Sequence, residues 1–200
     1  MKFARYLAHG DISYGIVDNN IVKEITNNPF SSFEITDHNH PLSEVKILAP
    51  CLPGKILAVG LNYRSHLGDR PTLAEPLIFL KTPSSLIGTG ESIVLPKNFD
   101  GRVDEEGEVV AVIKDRCKNV PKEEALQHVL GYTCGNDVSA RDWQKNDLRH
   151  AFLRSQYQRN AGWIISQPIW LRPPPEQFRP RYLELPFQKP GKALKTRSQI

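Results

Sequence analysis

Arg102-Val103-Asp104-Glu105-Glu106-Gly107-Glu108-Val109-Val110-Ala111-Val112-Ile113 is the stretch on which the reading of this chain turns. Its second half is rich in β-branched residues, whose stiff side chains suit a pleated strand. A strand sends alternate side chains to one face, so Glu106 and Glu108 share a face that continues through Val110 and Val112. Two like charges on a face that turns apolar are costly unless a cation neutralises them. Carboxylate oxygens favour hard cations, which points to Mg2+ or Mn2+. A solvated strand end with an acidic cap fits the same residues.

Downstream, Pro121-Lys122-Glu123-Glu124-Ala125-Leu126-Gln127-His128-Val129-Leu130-Gly131 predicts a helix. It has Pro in the first turn, acids near the positive end and Gly as the stop. His128 reads as a helix-face residue rather than a ligand. Tyr132-Thr133-Cys134 then reads as a strand, and Asp137 follows it. Asp137 can complete a three-oxygen site with positions left for water and substrate. A metal so held polarises a chelating keto or enol oxygen and acidifies bound water. Arg141 can grip a substrate carboxylate in bidentate fashion, or form an i,i+4 ion pair with Asp137.

Upstream, residues 1–26 read as a small β-meander: Phe3 to Leu7, Ile12 to Val17 and Ile21 to Ile25, parted by Gly, Asp and Asn turns. Residues 27–44 are polar and Pro-containing and read as a linker, with His38 and His40 solvated. Short apolar runs at 45–49, 56–59, 77–80 and 92–95 read as strands. Residues 62–68 read as a short helix with Asn62 at its N-cap.

The 200 residues suit one ordinary domain with a small appendage, and 40% apolar with 24% charged residues is a globular composition. No apolar run reaches the length of a membrane span, and the N-terminus lacks a signal-peptide core. Three cysteines, Cys51, Cys117 and Cys134, are odd in number and widely spaced, so reduced thiols in a cytoplasmic protein are expected. The net charge of +4 conceals an asymmetry: residues 1–147 hold 16 Lys+Arg against 20 Asp+Glu, and residues 148–200 hold 10 against 2. A nucleic-acid protein would show its basic stripe on the folded body, so that partner class is disfavoured.

Four motifs occur in order: Gly60-Leu61-Asn62-Tyr63-Arg64-Ser65-His66, Pro76-Leu77-Ile78-Phe79-Leu80-Lys81-Thr82-Pro83-Ser84-Ser85, Asp104-Glu105-Glu106-Gly107-Glu108, and Gly131-Tyr132-Thr133-Cys134-Gly135-Asn136-Asp137-Val138-Ser139-Ala140-Arg141-Asp142. Together they resemble the fumarylacetoacetate hydrolase (FAH) family, in its bacterial branch with a small β-rich N-terminal extension. The resemblance implies an α+β, mainly β chain: an FAH-type mixed β-roll, here incomplete, behind a β-meander module, and usually a homodimer. It implies Mg2+ (or Mn2+) on Glu106, Glu108 and Asp137, and hydrolysis, decarboxylation or isomerisation of a small β-diketo or 2-oxo acid. His66 matches the family's catalytic histidine, and imidazole titrates near working pH. Asp69 stands where some relatives carry a Glu that orients the histidine, and Lys81 matches a lysine near metal and substrate. Arg141 and Gln144 are the substrate-binding candidates.

These readings divide the chain into an N-terminal module and linker (1–50), the front half of a catalytic domain (51–147), and a tail (148–200). The tail carries seven of the sixteen prolines and reads as disordered, because Pro removes sheet donors. The resemblance stops near Asp147, which suggests a frameshift or truncation, with open strand edges and apolar faces left behind. The family's downstream substrate lysine and Thr-Pro loop are not found in the tail. Activity of the 200-residue chain is therefore expected near background, and a non-catalytic metal-binding remnant is the competing reading.

Overall fold

The β-rich runs of the first 25 residues are separated by residues that tolerate a left-handed backbone, and they fold accordingly. This computed structural model describes residues 1–95, 99–147, 163–164 and 169–171. Strand β1 (Lys2–Ala8) turns through His9 (φ 50°) and Gly10 (φ 97°) into β2 (Asp11–Asp18). Asn19 (φ 52°) starts the turn into β3 (Ile21–Ile25). On β2, a Cβ at Gly15 would lie 2.5 Å from Val22 Cγ1 and 2.7 Å from the Lys23 carbonyl oxygen, so only glycine lets β3 approach this closely.

Strand β4 (Ile35–Pro41) then pairs with β3, with a register shift between Lys23 and Ile25. The linker expected over 27–44 is thus partly strand. Its Thr-Asp-His-Asn-His sequence hides this because β4 is an edge: the ladder needs only backbone groups, and polar side chains face water. Strand β5 is confined to Lys46–Ile47 and pairs with β1.

Next come β6 (Ile56–Gly60), helix α1 (Arg64–Leu67) and β7 (Leu77–Lys81), with β6 and β7 antiparallel. Helix α1 is shorter than expected and Tyr63, not Asn62, occupies its N-cap, with no side-chain cap bond. Leu61 (φ 53°) makes a left-handed corner that leaves Asn62 outside the first turn. Strand β8 (Leu86–Ile87) follows, and residues 92–95, expected as strand, are irregular.

Strand β9 (Val103–Asp104) precedes β10 (Gly107–Ile113), which pairs along its length with β11 (Val129–Asn136). The helix expected over 121–131 is only a 3-10 turn at Ala125–His128. Val129 and Gly131 pair with Ile113 and Val112, so the ladder takes backbone groups that a helix would have used. Strand β12 (Ser139–Ala140) pairs with β9 and runs into helix α2 (Arg141–Asp147). In the tail, β13 (Trp163–Ile164) pairs parallel with β8, and β14 (Ile169–Leu171) lies between β11 and β1. The tail, read as disordered, joins strands at these five residues, because short backbone segments can complete a ladder wherever Pro is absent. The remainder of the tail lies outside the described residues.

The main sheet runs β10-β11-β14-β1-β2-β3-β4, with β5 also on β1. One core cluster joins Phe3 and Ile25 to Val112 and Leu130, flanked by Tyr14, Ile16, Phe33 and Cys51. A second, Ala4, Tyr6, Val17 and Val22, lies within the N-terminal meander. On β6 and β7 the cross-strand pairs Leu57–Leu80 and Val59–Ile78 share a face on which all four are exposed. Among the described residues no helix is long and apolar enough to cross a membrane.

Because Phe3 is only 1% exposed and sits in the cluster shared with β10 and β11, Phe3→Ala should cost about 3–5 kcal/mol. Near-UV and far-UV signals of that variant should melt together at the lower temperature. A separate early transition of the meander alone would show that the core is not shared.

Candidate metal and substrate site

Two paired strands, β10 and β11, carry the acidic residues to one place. Glu108 lies on β10 opposite Gly135 of β11. Glu106 sits just before β10, held by two bonds from the end of β11: its N–H donates to Asn136 Oδ1 (3.0 Å) and its carbonyl accepts the Asp137 N–H (2.8 Å). Asp137 therefore follows β11 with its side chain 5% exposed. Strand β7 supplies the counter-charge. Lys81 is opposite Ile56, its side chain is 2% exposed, and its ammonium pairs with the Asp137 carboxylate.

Arg141, at the start of α2, neutralises the second acid. Its guanidinium pairs with Glu106, donates from Nε to Asp104 Oδ2 (2.8 Å) and donates to Gln144 Oε1 (2.9 Å). Asp104 also takes a bidentate grip from Arg102, at 2.6 and 2.8 Å. The i,i+4 pair between Arg141 and Asp137 does not form. Of the three acids, Glu108 has no ion-pair partner among the described residues. Burial first, then the charges of Asp137 and Glu106, push its carboxyl up to about 7, with Lys81 pulling the other way. Burial likewise raises Asp137 against the pull of Lys81.

Helix α1 lies beside this centre. Burial and then the negative charge of Glu108 raise the Tyr63 hydroxyl above its ordinary range, so Tyr63 lies within the field of the carboxylate. The exposed His66 ring stands edge-on to Tyr63, centroids 6.2 Å apart. Asp69 makes no hydrogen bond to His66, since α1 ends at Leu67 and Gly68 turns the chain at φ 57°. The sequence reading passed over Asn136 and Asp104. Both lie inside quoted motifs, and their roles depend on backbone positions that spacing does not reveal.

The donor set fits a hard divalent cation: three carboxylates, one buried, with the Glu108 carboxyl pushed up by burial and then by the charges of the other two. As they stand, Asp137 and Glu106 are paired with Lys81 and Arg141, and the three acids are not drawn together at ligand distance. A metal would compete with those two cations. Two clefts, of about 430 Å3 and 370 Å3, lie elsewhere, at Asn20, Leu42 and Ser43 and between Arg5, Leu52 and Pro83.

Comparison with known proteins supplies the class. The fumarylacetoacetate (FAA) hydrolase C-terminal family matches residues 55–180, and the Rv2993c-like N-terminal family matches residues 1–50. Protein Rv2993c of Mycobacterium tuberculosis is 36% identical over 197 residues, 92% of this chain and 71% of that protein. The chain belongs to the fumarylacetoacetate hydrolase family. The family match passes Asp147, where the sequence resemblance was read to stop, and continues to residue 180.

An oxaloacetate tautomerase, fahd2 of Xenopus laevis, is 40% identical over 117 residues, 57% of this chain and 36% of that one. A crystal structure of 5-carboxymethyl-2-hydroxymuconate delta-isomerase from Mycobacterium smegmatis superposes with a TM-score of 0.73 at 35% identity, covering 88% of this chain and 69% of the other. Maleylpyruvate hydrolase from Sphingobium sp. SYK-6, solved with manganese(II) and pyruvate, shares the fold with a TM-score of 0.62 at 21% identity, over 86% and 67%. Hydrolases, isomerases and tautomerases of small carboxylates thus share this fold.

The Glu108 shift fixes a sign for pH dependence. Its folded value of about 7 exceeds the ordinary 4.5, so the folded state binds more protons between those values, and stability falls as pH rises through that window. Discounted for the open side of the site, the loss is about 1–2 kcal/mol. In chelator, wild type should lose that much more stability than Glu108→Gln between pH 4.5 and 7.5, measured by urea unfolding. Parallel curves for the two proteins would contradict it.

Proposed function

We propose that this chain carries the divalent-metal site of an FAH-family enzyme that acts on a small 2-oxo or β-diketo acid, as a homodimer. The observation that carries this reading is the grouping of Glu106, Glu108 and Asp137 at the ends of β10 and β11, where burial and then the charges of Asp137 and Glu106 push the Glu108 carboxyl up to about 7. Mg2+ or Mn2+ held by these three would polarise the oxygens of a chelating substrate. Lys81 and Arg141 offset the acids, and once displaced by a metal each becomes a donor for substrate oxygens. Gln144, already bonded to Arg141, holds that guanidinium and offers an amide to a carboxylate. His66, exposed beside Tyr63, would accept a proton from the substrate carbon or from water. The names of the relatives, oxaloacetate tautomerase and hydroxymuconate isomerase among them, support the substrate class. The exposed Leu57, Val59, Ile78 and Leu80 face suits burial against a second copy.

The chain spans 71% of one curated relative and less than half of several others. The test is chosen so that slow chemistry is detected. Mn2+ should bind with at least tenfold lower affinity to Glu106→Gln/Glu108→Gln than to wild type, followed by electron paramagnetic resonance. Metal-dependent hydrogen exchange at C3 of oxaloacetate or pyruvate, followed by NMR in D2O, should fall at least tenfold in His66→Ala with Mn2+ binding unchanged. Equal Mn2+ affinity in the double variant would remove the metal site. Unchanged exchange in His66→Ala would remove the base.

A further inference from the structure

Strand β10 has a second group of ligating side chains at its other end, roughly 20 Å of strand away from Glu108 at about 3.3 Å per residue. Lys114 follows the strand, and its N–H donates to the His128 carbonyl (2.8 Å), which closes the excursion from 115 to 127 into a loop. Asp115, Cys117 and His128 meet across the neck of that loop. Each can offer one ligand atom, and the three atoms lie within 4.8 Å of one another, the only such trio of His, Cys, Asp or Glu among the described residues. The His128 ring is 28% exposed and its Nδ1 lies 2.6 Å from Asp115 Oδ1. Cys117 is exposed and in no disulfide.

We propose that Asp115, Cys117 and His128 form a second metal site, selective for a borderline transition ion such as Zn2+ or Co2+. The donor set decides the selectivity. Thiolate, imidazole and one carboxylate suit Zn2+, whereas Mg2+ and Mn2+ favour the all-oxygen set at the other end of the strand. Three protein ligands leave the fourth tetrahedral position to water. Two donors on one tetrahedral ion stand a little over about 3 Å apart at ordinary bond lengths, so Asp115 and His128 need only separate slightly, and both lie at the surface. Binding releases the Cys117 thiol proton to solvent, and the hydrogen bond between His128 Nδ1 and Asp115 Oδ1 gives way to bonds from each to the metal. The Lys114 ammonium, 3.8 Å from Asp115 Oδ2, is the nearest competing cation, on an exposed side chain that can swing away.

The test uses the full chain, reduced, with excess Mg2+ to occupy the carboxylate site. Titration with Co2+ should produce a thiolate-to-cobalt charge-transfer band saturating at one equivalent, which Zn2+ then bleaches. Cys117→Ser should abolish the band, and His128→Gln and Asp115→Asn should each weaken Co2+ binding at least tenfold. Cys51→Ser, Cys134→Ser and Glu106→Gln/Glu108→Gln should leave the band intact. Zn2+ should also slow alkylation of Cys117 in wild type and not in His128→Gln. Absence of a thiolate band, its survival in Cys117→Ser, or equal Co2+ affinity in His128→Gln would overturn the proposal.

Discussion

A carboxylate removed from water must be given a cation or a proton, and Asp137 meets that demand in Lys81. Both side chains are almost fully buried, and they tie strand β7 to the end of β11 across 56 residues of sequence. Removing one partner from such a pair typically costs about 3–5 kcal/mol, because the other charge is left stranded. Placing Lys81 inward also sets the facing of β7. Phe79, two residues earlier, lies on the same inner face with its ring 6.0 Å from the ammonium, and Ile78 and Leu80 point outward. The position of Asp137 in turn brings Asn136 and Glu106 into contact, and Glu106 brings Arg141. The ion pair thus organises both the site and the apolar surface behind it.

The N-terminal meander is bound to this arrangement by packing rather than by a linker. Phe3 and Ile25 share a cluster with Val112 and Leu130, so the strand carrying Glu108 rests its far half on the meander. That support matters for a site built from repelling acids. Glu106, Glu108 and Asp137 stay together only where the backbone holding them resists displacement. Tyr6 adds a polar tie within the module, donating to Glu24 Oε2 at 3.0 Å, and that bond together with one to His38 lowers the Glu24 carboxyl despite its burial.

The mainly β fold class was legible in the sequence, and the acids proposed as metal ligands were singled out there. Short β-rich or apolar runs between turn residues located β1, β2, β3, β6, β7 and β10, since each pairs with a sequence neighbour or a near one. The carboxylates of Glu106, Glu108 and Asp137 stood out because charge beside β-branched apolar residues is unusual. Local signals failed where pairing was decided by distant partners. Pro121 with its following acids looked like a helix start, yet Val129 and Gly131 gained more from laddering with Ile113 and Val112. His38-Asn39-His40 looked like a loop, yet an edge strand requires no apolar face. Arg141 kept the anion-binding chemistry expected of it but directs it at Asp104 and Glu106, a choice that depends on β9 lying beside β12. His128 was read as a helix-face residue, and its nearness to Asp115 and Cys117 follows only once the helix is replaced by a turn.

Strand β14 also sets a schedule for folding. Ile169 pairs with Phe3 and Trp170 with Tyr132 as well as with Lys2, so three late residues close the gap between two earlier strands. During synthesis at roughly 5–20 residues per second, β11 is complete for about 2–7 s before β14 exists. For that interval the facing edges of β1 and β11 present unsatisfied backbone groups, and they are competent to recruit a strand from another nascent chain. Hairpins of the meander form at once from local contacts, whereas closure of the sheet awaits a partner that is far away in sequence. Yield in the cell is then governed by how well those two edges are shielded until the strand arrives, and chaperone supply or slower initiation should matter more to it than the stability of the finished fold.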